Sequence, residues 1–259
     1  MNERRWTNLT DVPEDKGFDT RWRIHPRPQA TTADELWRKT GWTPADLLGK
    51  TVLDAGCGCG RFAAVASAAG AVVTGIDLSP EGLDAASDNA PAATLYRASL
   101  LDLSCIRTRF DLAYSVGVLH HTGNTRKAFH EVASVVKPGG ELAVWVYCKP
   151  ADDRLMPMVE FLHRITRVCP PEELYAACEE YAPRIQAIYS GTWGDLQKVL
   201  QVSNSPDIEE CISDTFDWHT PQFRDYHDYD EVRQWYVEEG FKVIWEGEFP
   251  TSLRGRKVR

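Results

Sequence analysis

The sequence lacks the features that mark disulfide-stapled, zinc-binding and membrane-spanning proteins. Its seven cysteines form no Cys-x-x-Cys pair, and no stretch reaches the ~18 consecutive apolar residues that a membrane span needs. The first residues are polar, and no apolar segment of the secretory type follows them. We therefore expect reduced thiols, no disulfide framework, no zinc knuckle, no membrane insertion and a cytoplasmic location.

Positive charge is scarce as well. The chain has 29 Lys and Arg against 38 Asp and Glu, a formal net charge of −9. Because nucleic acid is held mainly by clustered basic side chains, this balance disfavours a general nucleic-acid binder. The basic exceptions stand at the two termini: Arg4, Arg5, Arg254, Arg256, Lys257 and Arg259. We expect a small-molecule partner, while the sequence leaves the oligomeric state, including a homo-oligomer, open.

What the sequence does contain, from Thr51 onward, is an alternation of β-rich runs with helical segments, the pattern of βαβ units. The predicted strands are Thr51–Ala55, Ala71–Asp77, Ala93–Ala98, Phe110–Gly117 and Glu141–Tyr147. The predicted helices are Arg61–Ala69, Pro80–Asn89 and Thr125–Val136, and Lys137-Pro138-Gly139-Gly140 ends the last of them. The pattern predicts an α/β fold built on a parallel sheet.

Two regions lie outside this alternation. Residues 1–50 form the predicted N-terminal cap segment, with short helices. Residues 150–227 are predicted as a helical insertion with helices near Pro171–Tyr181 and Asp195–Val202. The insertion is much longer than an ordinary connection, so we expect a lid or an acceptor subdomain. The predicted core is therefore 51–149 together with 228–259, where Asp228 and Glu231 begin a helix and the hairpin Phe241–Phe249 and Ser252–Val258 follows.

A glycine loop carries the clearest chemical signal. The first predicted core strand runs through Asp54 into Gly56-Cys57-Gly58-Cys59-Gly60, directly before a helix. Glycine lets the backbone approach a ligand closely, and a helix start presents unpaired N–H groups. Asp77 ends the next strand, where an acid can accept hydrogen bonds from both hydroxyls of a ribose.

The spacing of this loop distinguishes two kinds of nucleotide site. Dinucleotide enzymes use Gly-x-Gly-x-x-Gly to seat a pyrophosphate on the helix start, whereas the glycines here are Gly56, Gly58 and Gly60, preceded by Asp54. An acid at that point repels a pyrophosphate but suits a ligand with an α-ammonium group and a sulfonium. The loop therefore favours S-adenosylmethionine. A nucleotide-dependent oxidoreductase and a non-catalytic S-adenosylmethionine-binding module are the rival hypotheses.

With these residues the chain resembles the class I S-adenosylmethionine-dependent methyltransferases, in particular the bacterial small-molecule group related to ubiquinone-type methyltransferases. The resemblance covers Leu48–Tyr147 closely and Tyr226–Val258 more loosely. It implies a Rossmann-like seven-stranded sheet with the insertion between its fifth and sixth strands. It also implies methyl transfer to a small molecule, with S-adenosylhomocysteine as product and no metal; an RNA methyltransferase is the alternative within the class.

The same resemblance implies a set of cofactor-binding positions. They are Asp54, Gly56, Cys57, Gly58, Asp77, Leu78, Ser99, Leu100, Ser115 and Val116. The loop residues would line the methionine part, Asp77 the ribose and Leu78 the adenine, while the end of the fourth strand would border the methyl group. The sequence departs from the family where an Asp usually follows the third strand. Ser99 stands there and Asp102 comes three residues later, so either is a candidate for the adenine amino group.

Histidine and aromatic residues mark the acceptor side. The run Thr215–Pro221 precedes the last predicted helix, where related enzymes bring a loop over the acceptor. The substrate candidates are Trp22, Trp218, Phe223 and Tyr226. Packing of these rings between parts of the chain is the alternative. If the acceptor carries a proton, a nearby base assists; His121 is the first candidate, with His120 and His227 behind it, and a hydrogen-bonded structural role is the alternative for each.

Overall fold

The chain, described by a computed structural model over residues 5–9, 16–24, 32–149, 153–189 and 200–258, divides into two compact units. The sheet unit consists of the described residues within Met1–Asp15, Pro26–Lys149 and Phe223–Arg259. The helical unit consists of those within Lys16–His25 and Pro150–Gln222. The segment that begins at Phe223 therefore belongs with the sheet.

One eight-stranded sheet forms the centre of the sheet unit. Its strands are β1 (Trp6–Asn8), β2 (Thr51–Ala55), β3 (Val72–Asp77), β4 (Thr94–Arg97), β5 (Phe110–Val116), β6 (Val136–Trp145), β7 (Phe241–Glu246) and β8 (Ser252–Lys257). Their order is β1-β4-β3-β2-β5-β6-β8-β7. Neighbours from β1 to β6 pair in parallel, whereas β8 pairs antiparallel with both β6 and β7. The predicted α/β fold with a mostly parallel sheet is confirmed.

Apart from shifts of one to three residues at strand ends, the strand predictions differ from the structure in two places. An eighth strand, β1, extends the expected seven, because Trp6–Asn8 pairs with β4 at the sheet edge and the Trp6 ring is buried. β6 begins at Val136 rather than Glu141. Lys137-Pro138-Gly139-Gly140, predicted to end the preceding helix, therefore lie within the strand. Val136 pairs with Phe110, and the register shifts before Glu141 pairs with Leu112.

Helices connect these strands and build the second unit. They are α1 (Lys16–Ile24), α2 (Thr32–Thr40), α3 (Pro44–Leu47), α4 (Arg61–Ala68), α5 (Pro80–Asn89), α6 (Thr125–Ser134), α7 (Met156–Thr166), α8 (Pro171–Tyr189), α9 (Ile208–His219) and α10 (Tyr229–Glu238). Within the described ranges, each helix is too short or too polar to cross a lipid bilayer.

Side-chain caps fix the helices that start beside the strand ends. Ser79 accepts a hydrogen bond from the Gly82 N–H at the start of α5, and Asn124 accepts one from the Lys127 N–H at the start of α6. Asp228 accepts from the Glu231 N–H. Each satisfies a donor that the first helical turn leaves without an intrahelical partner. The last bond confirms the helix start predicted at Asp228.

Two apolar clusters cover the opposite faces of the sheet. Leu53 of β2 packs in the cluster that holds Phe129 of α6 and Tyr236 of α10. Its neighbour Val52 packs in the other cluster, with residues of α2 and α4. Successive side chains of a strand point to opposite faces, so a run that is apolar throughout is buried on both. This burial explains the continuous hydrophobic character of the central strands.

The helical unit corrects one element of the sequence analysis. Thr215–His219 belongs to α9 rather than to a loop. Asp207 caps this helix by accepting from the Glu210 N–H, and Phe216 is fully buried against the Tyr175 ring of α8. Most of the helix predicted at Asp195–Val202 lies outside the described residues.

Tyr236 offers a test of how α10 is fixed to the sheet. Its buried hydroxyl lies 2.8 Å from the Leu253 carbonyl oxygen and 3.1 Å from that of Leu142, on the two antiparallel strands. We expect Tyr236→Phe to lower the free energy of unfolding by about 1–2 kcal/mol, because buried carbonyls lose their donor. Urea unfolding measures the change, with Tyr181→Phe at a half-exposed position as the matched control. Equal stability of the two variants would contradict this role.

Candidate functional site

The glycine loop after β2 adopts backbone conformations that favour glycine. Gly56, Gly58 and Gly60 have φ values of +90°, +50° and +75°. The N–H groups of Gly56 and Cys57 both donate to the Ile76 carbonyl of β3, at 2.8 Å and 3.0 Å. The loop is therefore fixed to the end of the neighbouring strand before α4 begins.

Two of these glycines are also required by close packing. A Cβ atom on Gly56 would lie 2.4 Å from Cγ1 of Val118, and one on Gly60 would lie 2.9 Å from Ala86 of α5. Neither distance is tolerated, so the protein itself excludes a side chain at both positions. The sequence analysis assigned the glycines to ligand approach alone and missed this second reason.

Asp54 is a buried acid with an unused acceptor. Its residue is 2% exposed, and its Oδ2 atom has no hydrogen-bond partner among the described residues. Burial raises the pKa of Asp54 to about 7, with the nearby Asp77 charge adding to the rise, while Tyr114, Arg61 and the Ala63 N–H act in the opposite direction. A buried carboxyl in this state is suited to a cationic ligand group, which would supply the missing partner.

Asp77 holds the loop from the end of β3. Its Oδ2 accepts from the Gly58 N–H at 2.7 Å, and its Oδ1 accepts from the Ser79 N–H at 2.9 Å. A carboxylate oxygen can accept more than one hydrogen bond, so the ribose contact predicted for Asp77 stays chemically available. Removing this side chain would also loosen the glycine loop, a consequence that the sequence did not reveal.

The residues predicted near the adenine differ in their surroundings. Leu78 is half-buried at the end of β3, whereas Leu100 is buried in the core cluster of α6 and α10. Ser99 accepts from the Leu101 N–H through its hydroxyl, and exposed Asp102 accepts from the Ser104 N–H. Each candidate for the amino contact thus bonds a backbone N–H two residues further along the chain, and the choice between them stays a prediction.

Three further predicted cofactor positions have structural roles of their own. The Ser115 hydroxyl donates to the Ala55 carbonyl at 2.8 Å and so links β5 to β2. Val116 is nearly buried and belongs to the cluster beneath α2 and α4. Burial and the Asp77 and Asp54 carboxylates raise the pKa of the Cys57 thiol well above its ordinary value, which disfavours a reactive thiolate.

Sequence analysis missed an ionic cluster that joins α2 to the start of α4. Glu35 accepts from Arg61 through both guanidinium NH groups, at 2.6 Å and 3.3 Å, and pairs with Lys39 one turn along α2. Burial opposes ionisation of Glu35, but the two cations outweigh it and lower its pKa to about 2. The Lys39 ammonium also lies 3.7 Å from the centre of the Trp145 ring. The i, i+4 spacing of Glu35 and Lys39 was the available signal, yet Arg61 is distant from both in sequence.

Histidine and aromatic rings meet at the ends of β5 and β6. The His120 ring centre lies 4.0 Å from that of His121 and 3.9 Å from that of Tyr147. Tyr147 in turn lies 6.0 Å from Tyr226, centre to centre. The structure therefore brings together two of the predicted histidines and the predicted substrate residue Tyr226 within the sheet unit.

The three candidate bases differ in environment. Nδ1 of His121 lies 3.0 Å from the Phe223 carbonyl oxygen. His120 is fully buried, neither of its ring nitrogens has a partner among the described residues, and burial, followed by the charges of its neighbours, lowers its pKa well below the ordinary value. His227 is buried against the Trp235 ring and bonds Glu231 through Nδ1. Its ring thus packs against α10 rather than in the His120 and His121 pair.

The two tryptophan candidates lie in the helical unit. Trp22 of α1 packs under the Arg21 guanidinium, at 4.3 Å from the ring centre, and Arg21 forms an ion pair of 2.5 Å with Asp217 of α9. Trp218 follows on α9 and is partly buried. Their contact with an acceptor stays a prediction.

Comparison with known proteins identifies what this arrangement is similar to. Residues 53–144 match the family described as methyltransferase domain. The ubiquinone biosynthesis O-methyltransferase of Coxiella burnetii (strain Dugway 5J108-111) is 34% identical over 100 residues, 37% of this chain and 43% of that protein. The tRNA U34 carboxymethyltransferase of Hahella chejuensis (strain KCTC 2396) is 32% identical over 142 residues, 52% of this chain and 41% of that protein.

A solved structure extends the likeness over most of the chain. The magnesium protoporphyrin IX methyltransferase of Synechocystis PCC 6803 with bound SAH has a TM-score of 0.55 at 18% identity, covering 94% of this chain and 95% of that chain. This likeness shows the fold. The chain spans about two fifths of the length of the two curated relatives above. The predicted resemblance to class I methyltransferases of the ubiquinone-related group is confirmed.

The buried Asp54 carboxyl should make the free energy of unfolding depend on pH. Its folded pKa of about 7 lies above the ordinary 3.8, so the folded chain retains a proton that the unfolded chain releases as pH rises from 4 to 7. Asp54→Asn removes this loss of stability. We expect the variant's advantage in unfolding free energy to grow across that window, towards on the order of 4 kcal/mol, because one pKa unit corresponds to about 1.4 kcal/mol.

Urea unfolding at a series of pH values between 5 and 8 measures the advantage. Asp102→Asn is the matched control, since that exposed carboxyl has a pKa lowered by its hydrogen bond to Ser104. An Asp54→Asn advantage that stays constant with pH would show that the carboxyl is already ionised in the folded chain.

Proposed function

We propose that this chain, whose residues 53–144 match a methyltransferase domain, transfers a methyl group from S-adenosylmethionine to a small-molecule acceptor. The observation that carries the proposal is the buried Asp54 carboxyl, whose Oδ2 lacks a partner beside a glycine loop at the carboxyl end of β2. Open α/β sheets bind ligands at the carboxyl ends of their strands. A cationic α-ammonium group would satisfy that oxygen, whereas a pyrophosphate would be repelled by it.

The other residues proposed to bind the methyl donor each contact a different part of it. When bound, S-adenosylmethionine supplies a methyl group on a sulfonium whose leaving group is already activated. Asp77, which holds the Gly58 N–H, would also accept from the ribose hydroxyls, and half-buried Leu78 would pack on the adenine. Gly56 and Gly58 let the backbone follow the methionine part closely. No metal is needed, because the protein mainly supplies position and excludes water.

On the acceptor side we assign the general base to His121. The Phe223 carbonyl can only accept, so Nδ1 of His121 carries the hydrogen and the lone pair of the neutral ring lies on Nε2. Nε2 would take the proton that the acceptor loses when its oxygen, nitrogen or carbon is methylated. His120 is a weaker base because its pKa is lowered, and His227 bonds Glu231 on the α10 side. Phe223 and Tyr226 would contact the acceptor beside His121.

An RNA acceptor is the second candidate, and the likeness to a tRNA-modifying relative favours it. The formal charge of −9 argues against it, because RNA binding depends on clustered positive charge. Methyl transfer from tritiated S-adenosylmethionine to quinols, phenols, amino sugars and thiols, with bulk tRNA as a parallel arm, distinguishes the two. Labelling of tRNA alone would overturn the small-molecule assignment.

Calorimetry tests the cofactor assignment. We expect S-adenosylhomocysteine to bind and NADH not to bind. Asp54→Asn should weaken binding by ~10- to 150-fold, because a hydrogen bond to a charged group contributes ~1.5–3 kcal/mol. Binding to the unmodified chain near pH 6 should also release a proton, detected as a heat that depends on the buffer, since Asp54 with a pKa of about 7 ionises against the ammonium. Tight NADH binding would favour the oxidoreductase hypothesis.

His121→Gln tests the base. The substitution keeps a polar side chain but removes the imidazole that would take the proton, so S-adenosylhomocysteine affinity should survive while turnover falls by ~10²–10⁴-fold. His227→Gln is the matched control, and we expect it to retain most activity. A His121→Gln enzyme that works at nearly full rate would remove this histidine from the mechanism and leave cofactor binding unaffected.

A further inference from the structure

Residues Phe223–His227, which we call the strap, lie directly before α10 and are hydrogen-bonded to the chain beside the histidine pair. The Asp225 N–H donates to the His120 carbonyl at 2.9 Å, and the His227 N–H donates to the Tyr147 carbonyl at 2.9 Å. The strap thus crosses the ends of β5 and β6 and is bonded to the backbone that follows each. All of these bonds lie within the sheet unit.

One side-chain bond anchors the middle of the strap. The Thr125 hydroxyl donates to Oδ2 of Asp225 at 2.9 Å. Thr125 is 2% exposed and is the first residue of α6, directly after the Asn124 cap. An acceptor carboxylate at a helix N-terminus is also stabilised by the helix dipole. The bond therefore ties the strap to a rigid point of the core rather than to another loop.

Anchoring matters because the strap supplies the group that orients His121. The Phe223 carbonyl, two residues before Asp225, lies 3.0 Å from His121 Nδ1. The Phe223 ring packs on Gly123, where a Cβ would lie 3.1 Å from the ring and where φ is +76°. Both contacts hold only while the strap keeps its position. The Thr125–Asp225 bond fixes that position through side chains, in addition to the two backbone bonds to His120 and Tyr147.

We infer that Thr125 and Asp225 are positioning residues for His121. By holding the Phe223 carbonyl in place they keep the hydrogen on Nδ1 and the lone pair on Nε2, the atom that accepts the proton. The inference rests on the proposed function for its catalytic consequence, but the tautomer of His121 can be observed without any reaction. Neither residue contacts the reacting atoms in this proposal.

The decisive variant is Thr125→Val, which keeps the shape of the side chain and removes the donor. Nitrogen-15 spectra of histidine-labelled protein report the tautomer, and the His121→Gln spectrum identifies the His121 signals. We expect the Nδ1–H form to dominate in the unmodified chain and in Thr125→Ser, which retains the hydroxyl. In Thr125→Val the signals should shift towards a mixture of the two tautomers.

Kinetics give the second readout. With whichever acceptor class supports turnover in the tritium assay, Thr125→Val should lose roughly tenfold or more in kcat, since a base contributes ~10²–10⁴-fold and a mixed tautomer removes part of it. KM and S-adenosylhomocysteine affinity should stay near those of the unmodified chain, and Thr125→Ser should restore kcat.

The outcomes separate this inference from the function on which it rests. An unchanged His121 tautomer in folded Thr125→Val overturns it, and so does a shifted tautomer with unchanged kcat. Failure of the chain to bind S-adenosylhomocysteine defeats the proposed function instead, while the spectra still decide whether Thr125 and Asp225 orient the ring. A shifted tautomer with a matching loss of kcat, restored by Ser, supports the inference.

Discussion

The candidate site depends on how closely the chain after β5 approaches the chain after β2. Gly56 has a φ of +90°, and a Cβ there would lie 2.4 Å from Val118. Conformation and space both exclude a side chain, so glycine alone permits the contact. Through it the loop that follows Asp54 is packed against the segment that leads to His120 and His121. Parallel pairing of β2 with β5 makes these two segments neighbours, and the glycine lets them touch.

Two carboxyls, one partly buried and one buried, illustrate how neighbours decide the state of a charge. Glu35 is flanked by Lys39 and Arg61, and its pKa is lowered to about 2. Asp54 is buried without such a pair, and its pKa is raised to about 7. The first carboxylate is already compensated by the protein, whereas the second still has an oxygen without a partner. Only Asp54 therefore gains substantially from a cationic ligand group.

On the acceptor side, the position of His121 depends on hydrogen bonds that lead to the buried core. α6 is rigid because Phe129 and Val132 are fully buried beneath it, and its first residue binds the strap through Asp225. The strap in turn holds the Phe223 carbonyl, which is hydrogen-bonded to the His121 ring. A segment without regular secondary structure can thus orient a side chain when its hydrogen bonds lead directly to a buried helix.

The sequence by itself determined the fold class and the place of the glycine loop and its two flanking acids. The periodic apolar runs predicted β2 and α5 to the residue, since burial on both faces and a Ser79-Pro80 helix start are local signals. Asp54, Gly56 and Asp77 were proposed as cofactor-binding residues for the same reason, because one loop and two strand ends define them. Only the tertiary structure decided the rest. β1 was missed because its pairing partner β4 is distant in sequence, and α9 because its buried face lies against α8. The Arg61–Glu35 pair, the Val118 contact with Gly56 and the Thr125–Asp225 bond all join residues far apart in the chain, and such contacts leave no periodicity in either partner that a sequence could reveal.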